Sequence, residues 1–399
     1  MSGEKIYEGV FAVHKPRGVT SADVLRHLQK YFNPSETFRP WLEDEIARRQ
    51  QDSNFQRRRR RKDKKVEVKI GHGGTLDPLA TGVLIAGVGK GTKHLQSFLE
   101  CTKTYETVVL FGAETDTYDR LGKIVRRAPY EHVTRDVVEK ALEQFRGKIM
   151  QRPPIFSALR VQGKKLYEYA REGKEPPIEI KARPVEVHDL RILEWYEPGT
   201  HEYKWPEEEM AGDEKAVAEK MLDKDASVPV ASEEEAAVAA ESSLKRKSPP
   251  PVAAEEDEGQ DVVQSAKRLK TTAEGESTQA GTHEPTITTE EGTKEKKQEG
   301  AAPDKEPAAA APPPAVKITM TVSSGFYVRS LAHDLGKAVG SCALMSELVR
   351  SRQGDFVLSP DKVLEYEDLE RGEEVWGPKV RRFLEEWEEK QQKKAQSKQ

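Results

Sequence analysis

Gly71 to Lys93 read GHGGTLDPLATGVLIAGVGKGTK. This stretch sets one carboxylate, Asp77, in a turn rich in glycine and threonine. Gly71, Gly73 and Gly74 precede it, Pro78 follows it, and an apolar run, Val83-Leu84-Ile85-Ala86, lies between Gly82 and Gly87. Glycines admit backbone angles that other residues resist and let a ligand approach closely. Pro78 fixes its own φ and steers Asp77 away from the helical region. The pattern predicts a rigid, extended loop that presents Asp77 just before a buried strand. Two plainer readings compete. Asp-Pro among glycines is commonly a simple turn. Gly89-Lys90-Gly91-Thr92 suggests a phosphate loop, but the register is wrong: that motif needs glycine where Leu84 stands and Ser or Thr where Gly91 stands.

The whole chain has 399 residues, 36% hydrophobic and 34% charged, with a net charge of −4. That is polar for a folded protein and implies a large disordered fraction. The two cysteines, Cys101 and Cys342, exclude a disulfide scaffold and have no metal-ligand spacing. No apolar run is long enough to span a membrane, and the N-terminus MSGEKIYEG has no signal-like core. The expectation is a soluble intracellular protein that uses no metal and no cofactor.

Gly9 to His14 reads as a strand, followed by a helix that starts at Ser21 as N-cap and carries Val24, Leu25, Leu28 and Phe32 on one face. Residues 34–66 read as a basic insertion ending in Arg57 to Arg61, Lys62, Lys64 and Lys65. Such a run is solvated, bound to phosphate, or an import signal. Tyr105 to Phe111 and Gly122 to Val125 read as strands. Helices are expected after Thr134, from Lys164 to Arg171, and from Val328 to Val339. Arg183 to Trp195 reads as a strand, and Val316, Ile318, Met320 and Val322 alternate strictly. Residues 206–315 lack Phe, Tyr and Trp altogether and are rich in Glu, Ala, Lys and Pro. They read as a disordered acidic insertion within one domain, since its two ends continue a strand pattern. Its basic islands, Lys245-Arg246-Lys247 and Lys267-Arg268-Leu269-Lys270, read as nuclear-import signals. Residues 355–399 form a short helical tail with Val380, Phe383, Leu384 and Trp387 on one face. Strands and helices do not alternate regularly, so the class is α+β.

GHGGTLDPLATGVL closely resembles the catalytic motif of the TruB family of pseudouridine synthases. The resemblance continues in order along the chain: Val13-His14-Lys15-Pro16 with Gly18 and Ser21, then Lys103-Thr104-Tyr105, then QRPPIFSALRVQGKKLYEYAREG from Gln151 to Gly173, then Gly325-Phe326-Tyr327-Val328-Arg329-Ser330. It implies the pseudouridine synthase fold, a mixed and largely antiparallel sheet with flanking helices around a central RNA-binding cleft. Residues 1–354 would form the catalytic domain, with the two insertions inside it.

The resemblance implies that Asp77 detaches uracil from ribose, either by attack or by taking the ribose 2′ proton to give a glycal. Burial would favour the neutral acid, and a guanidinium beside it offsets this. Arg329 matches that residue, and Tyr105 matches the tyrosine that stacks on the target base and is a candidate general acid or base, so Asp77, Tyr105 and Arg329 are the expected catalytic residues. Leu348 matches an apolar residue on the base's other side. His72 matches a histidine that fills the space left by the flipped nucleotide. Gly74, Thr75 and Leu76 belong to the same substrate-binding loop. Lys15 and the arginine run would grip phosphates, and loop RNA such as a tRNA T-loop suits recognition by splayed bases. The small C-terminal RNA-binding domain of bacterial members finds no match in 355–399. The chain therefore resembles a fungal-type stand-alone member acting on tRNA uridine 55, a monomer with no obligatory protein partner, in the nucleus, with the mitochondrion as a further location. The alternatives are a guide-RNA-dependent catalytic subunit and a non-catalytic tRNA-binding or folding protein.

Overall fold

The computed structural model describes residues 4–51, 65–222 and 312–397, except 155, 158, 172–176, 178–179, 213–214, 217 and 220–221. The strands are β1 (Gly9–Lys15), β2 (Ile70–His72), β3 (Thr81–Val88), β4 (Lys103–Phe111), β5 (Ala113–Thr115), β6 (Ile124–Arg127) and β7 (Gly147–Gln151), followed by β8 (Arg160–Val161), β9 (Lys164–Lys165), β10 (Arg183–Tyr196), β11 (Ala315–Val322), β12 (Ala343–Gln353), β13 (Phe356–Val357) and β14 (Leu364–Glu365). The helices are α1 (Ser21–Phe32), α2 (Arg39–Gln50), α3 (Leu95–Glu100), α4 (Arg135–Leu142), α5 (Leu166–Arg171), α6 (Val328–Ala338) and α7 (Glu373–Gln396).

One sheet runs in the order β14-β1-β3-β12-β4-β11-β10-β7, with β2 added to β3 and β13 to β12. Among the described strands, only the β1–β14 and β3–β12 pairings are parallel, so the expected α+β class with a largely antiparallel sheet is what the chain forms. The alternation at Val316–Val322 becomes β11, between β4 and β10. Residues 197–314 therefore lie within the β10–β11 connection. β3 and β12 meet closely where Thr81–Gly82 pair with Val349–Arg350. Gly82 has φ +104, and a Cβ there would lie 2.3 Å from the Arg350 carbonyl oxygen. No helix among the described residues is long and apolar enough to cross a membrane.

Three expectations need correcting. First, the helix cap is Thr20, whose hydroxyl accepts from Asp23 N, and Ser21 is the first helical residue. Second, residues 34–50 are not a solvated insertion. Phe38 and Trp41 are buried, Phe38 stacks on Phe32 at 4.4 Å, and α2 follows. Third, the helical tail 355–399, with its expected apolar face, packs into the core of the preceding domain. Leu364 pairs with β1, and Trp376, Val380, Phe383 and Leu384 share the main core with Phe11, Phe32 and Phe38. Burying each large side chain contributes on the order of 1.5–3 kcal/mol. The Glu373 carboxylate also accepts from the backbone of Glu36 and Thr37 at 3.0 and 2.7 Å. A partner more than 300 residues away leaves no trace in local periodicity. The run Arg57–Lys65 lies outside the described residues apart from Lys65, as do both basic islands.

Candidate active site

The loop before β3 carries Asp77, and several backbone groups on both sides of it are held. Ser21 Oγ donates to Leu76 O at 3.1 Å and accepts from Leu76 N at 2.9 Å. Gly18 N donates to Pro78 O at 2.8 Å. Arg350, itself buried in β12, donates to Val83 O at 2.8 Å and to Gly74 O at 3.1 Å, so one guanidinium bridges both ends of the loop. Gln353 donates to Gly73 O at 2.5 Å. Such over-determination keeps one side chain in one place.

Lys15 takes part in this anchoring, and its expected phosphate contact is wrong. It is 0% exposed and donates to the carbonyls of Pro16, Pro78 and Ala80 at 2.9, 3.2 and 2.6 Å. An ammonium has three protons, so none is left for RNA. Burial pushes its pKa down to about 8, Arg350 acts in the same direction, and Asp77 opposes them.

Asp77 keeps about a third of its side chain exposed, while Arg329 is almost fully buried. Arg329 lies at the start of α6 and donates to both Asp77 oxygens, Nε to Oδ2 at 2.8 Å and Nη2 to Oδ1 at 3.2 Å. Its remaining donors reach Thr117 O at 3.1 Å and Phe156 O at 2.9 Å. This two-pronged geometry fixes the carboxylate plane as well as its position. A second carboxylate, Asp119, lies 4.0 Å from Arg329 Nε. Burial raises its pKa, with Arg329 and the Thr117 hydroxyl holding it back. Burial alone would lower the pKa of Arg329, but Asp77 and Asp119 raise it.

The other expected site residues lie on neighbouring strands and in the same loop. Tyr105 on β4 and Leu348 on β12 are buried in the same apolar cluster as Leu76 and Leu79, which flank the Asp77 loop. Gly74 is buried with φ +134 and Thr75 is exposed. His72 is half-buried on β2, opposite Ala86, and its Nδ1 has no hydrogen-bond partner. Burial and then Arg350 lower its pKa, so its ring is neutral at pH 7. Sequence reasoning missed Thr117, Asp119, Arg350 and Gln353. An acid-rich turn such as Asp116-Thr117-Tyr118-Asp119 between two strands, and polar side chains inside the buried strand β12, were the available signals.

A family model described as the TruB family pseudouridylate synthase N-terminal domain matches residues 59–210. The chain is 39% identical over 365 residues to tRNA pseudouridine synthase 4 of Schizosaccharomyces pombe, covering 90% of this chain and 82% of that protein. It is 33% identical over 387 residues to tRNA pseudouridine synthase 4 of Saccharomyces cerevisiae, covering 95% of this chain and 85% of the relative. It is 41% identical over 191 residues to pseudouridylate synthase TRUB1 of Mus musculus, covering 48% of this chain and 51% of the relative.

Proposed function

We propose, on the premise that the chain belongs to the TruB family of pseudouridine synthases, that it isomerises uridine to pseudouridine in tRNA at position 55 of the T-loop, as a monomer without guide RNA or protein partner. The observation that carries this reading is the Asp77 carboxylate held by both prongs of a buried Arg329 and still reachable from outside. The reaction breaks the bond from uracil N1 to the ribose, turns the base, and joins C5 to the same carbon, while C5 loses a proton and N1 gains one. It consumes no redox equivalent and no phosphate, so the residues needed are an oriented carboxylate and a pocket for the free base. Asp77 acts at the sugar or the base, Arg329 keeps it aimed, and Tyr105 and Leu348 hold the uracil between them. The target nucleotide must leave its stack to reach Asp77, at a cost of a few kcal/mol, and a neutral His72 ring suits the space it vacates.

Purified protein incubated with an unmodified T-arm transcript, followed by base-resolved pseudouridine mapping, tests the assignment. Product at position 55 without added RNA or protein supports it. Product that requires a guide RNA, or binding without product, overturns it.

The run Arg57 to Lys65 is proposed to lie along the tRNA, since it leads within a few residues to His72 and Asp77. Neutralising its arginines is expected to weaken binding and reduce the log–log salt slope by roughly 0.7–0.9 for each phosphate that is no longer gripped. Turnover at saturating tRNA should hold, because phosphate contacts position the RNA without touching the reacting base. An unchanged slope in purified protein would rule the contact out. The islands at 245–247 and 267–270 are proposed as nuclear-import signals. A mitochondrial pool is proposed as well, and imaging a tagged chain with and without the islands checks both.

A further inference from the structure

The start of the acidic insertion packs on the turn that holds Arg329. Glu208 O accepts from Ile124 N and Met210 N donates to Ile124 O, both at 2.8 Å, so this segment pairs with β6. Arg127 donates to Glu209 Oε1 at 2.9 Å through Nε. Farther on, Leu222 is buried with Tyr118 and Val125, and Met210 and Ala218 pack against them. Leu222 O accepts from Lys337 Nζ at 3.1 Å, and Lys337 belongs to the same helix as Arg329. This contradicts the expectation that the insertion is disordered from residue 206, because its first residues contribute to a core.

Tyr118 gives the contact its meaning. Its φ of +63 is left-handed, a conformation that costs a bulky residue on the order of 1–3 kcal/mol and persists only where surroundings impose it. Its neighbours both serve Arg329: Thr117 O accepts from Nη1, and the Asp119 carboxylate faces Nε. The ring of Tyr118 stacks on His333 at 4.1 Å and 14°, and its carbonyl accepts from Met345 N at 2.9 Å. The apolar cover from Met210, Ala218 and Leu222 completes its surroundings.

We infer that Met210, Ala218 and Leu222 form a positioning element for catalysis: they hold Tyr118 in its left-handed turn, so that Thr117 and Asp119 keep Arg329 aligned on Asp77. This rests on the proposed synthase activity. Small displacements of a reacting group cost large factors in rate. The dividing line between functional and dispensable parts of the insertion then falls after Leu222, well inside the segment.

The experiment measures kcat at saturating T-arm transcript, tRNA affinity and thermal midpoint for the wild-type protein and four variants. Deleting 223–310 and joining the ends with a short linker is expected to leave kcat within about twofold. The double substitution Met210→Ala, Leu222→Ala is expected to lower kcat roughly tenfold at unchanged affinity. Leu222→Met, which keeps the volume, is expected to restore most of that loss relative to Leu222→Ala. Should the double variant melt below the assay temperature, Leu222→Ala is read in its place. Unchanged kcat in the alanine variant, or a loss of affinity as large as the loss of kcat, overturns the inference. An inactive wild-type protein overturns the functional reading, and this inference with it. An active wild-type protein beside an indifferent alanine variant overturns this inference alone.

Discussion

Asp77→Asn is expected to lower turnover of a T-arm transcript by roughly 10⁴-fold or more, while tRNA affinity stays within about twofold. The amide has the carboxylate's shape but can neither attack nor take a proton. It also turns an NH₂ toward one prong of Arg329, where the native chain has Oδ2 at 2.8 Å from Nε, so one hydrogen bond becomes a donor facing a donor. Asp77 lies on a loop held through Gly74, Leu76, Pro78 and Ala80. The substitution should therefore leave the loop and its RNA-facing surface in place. Single-turnover product measurement alongside filter binding separates the two effects. Appreciable pseudouridine from this variant would remove Asp77 from the reaction.

Arg329→Lys is expected to lower kcat roughly 10²–10³-fold, again with little change in tRNA affinity. The guanidinium satisfies two Asp77 oxygens and the carbonyls of Thr117 and Phe156. A lysine ammonium has three protons at one point and cannot reach the same four acceptors. At least one buried acceptor is left unpaired, which costs about 1–3 kcal/mol, and Asp77 loses its planar clamp. Asp119 is affected too. Burial already raises its pKa and Arg329 opposes this, so a poorer cation should raise it further toward the neutral acid. Near-normal turnover by Arg329→Lys would mean that Arg329 does not orient Asp77.

The loop, its aspartate and the following strand were readable because their cause is local. Glycines, the Asp77-Pro78 step and a short apolar run restrict the backbone wherever they occur. The strand β11 was readable for the same reason, since alternation every second residue is a property of the chain itself. The partnership of Asp77 with Arg329, 252 positions apart, came from the resemblance of motifs and not from any pattern within this chain. Thr117 and Asp119 were passed over because an acidic turn between strands looks solvated until a buried guanidinium is known to face it.

Lys15 shows the limit most clearly. A lysine beside a glycine-rich loop suggests a hand for phosphate, yet here it is buried under three carbonyls from two separate segments. Whether a cation faces water or backbone depends on where distant carbonyls end up. The aromatic cluster of Phe32, Phe38 and Trp376 and the packing of Leu222 near Tyr118 have the same origin. By itself the sequence determined the presentation of Asp77, the strand alternation and the amphipathic helices, because these follow from steric and periodic rules acting over a few residues. Only the tertiary structure decided which polar side chains are buried, which ends of the chain join the core, and how far the insertion belongs to the site, because each depends on surface buried between residues far apart in the chain.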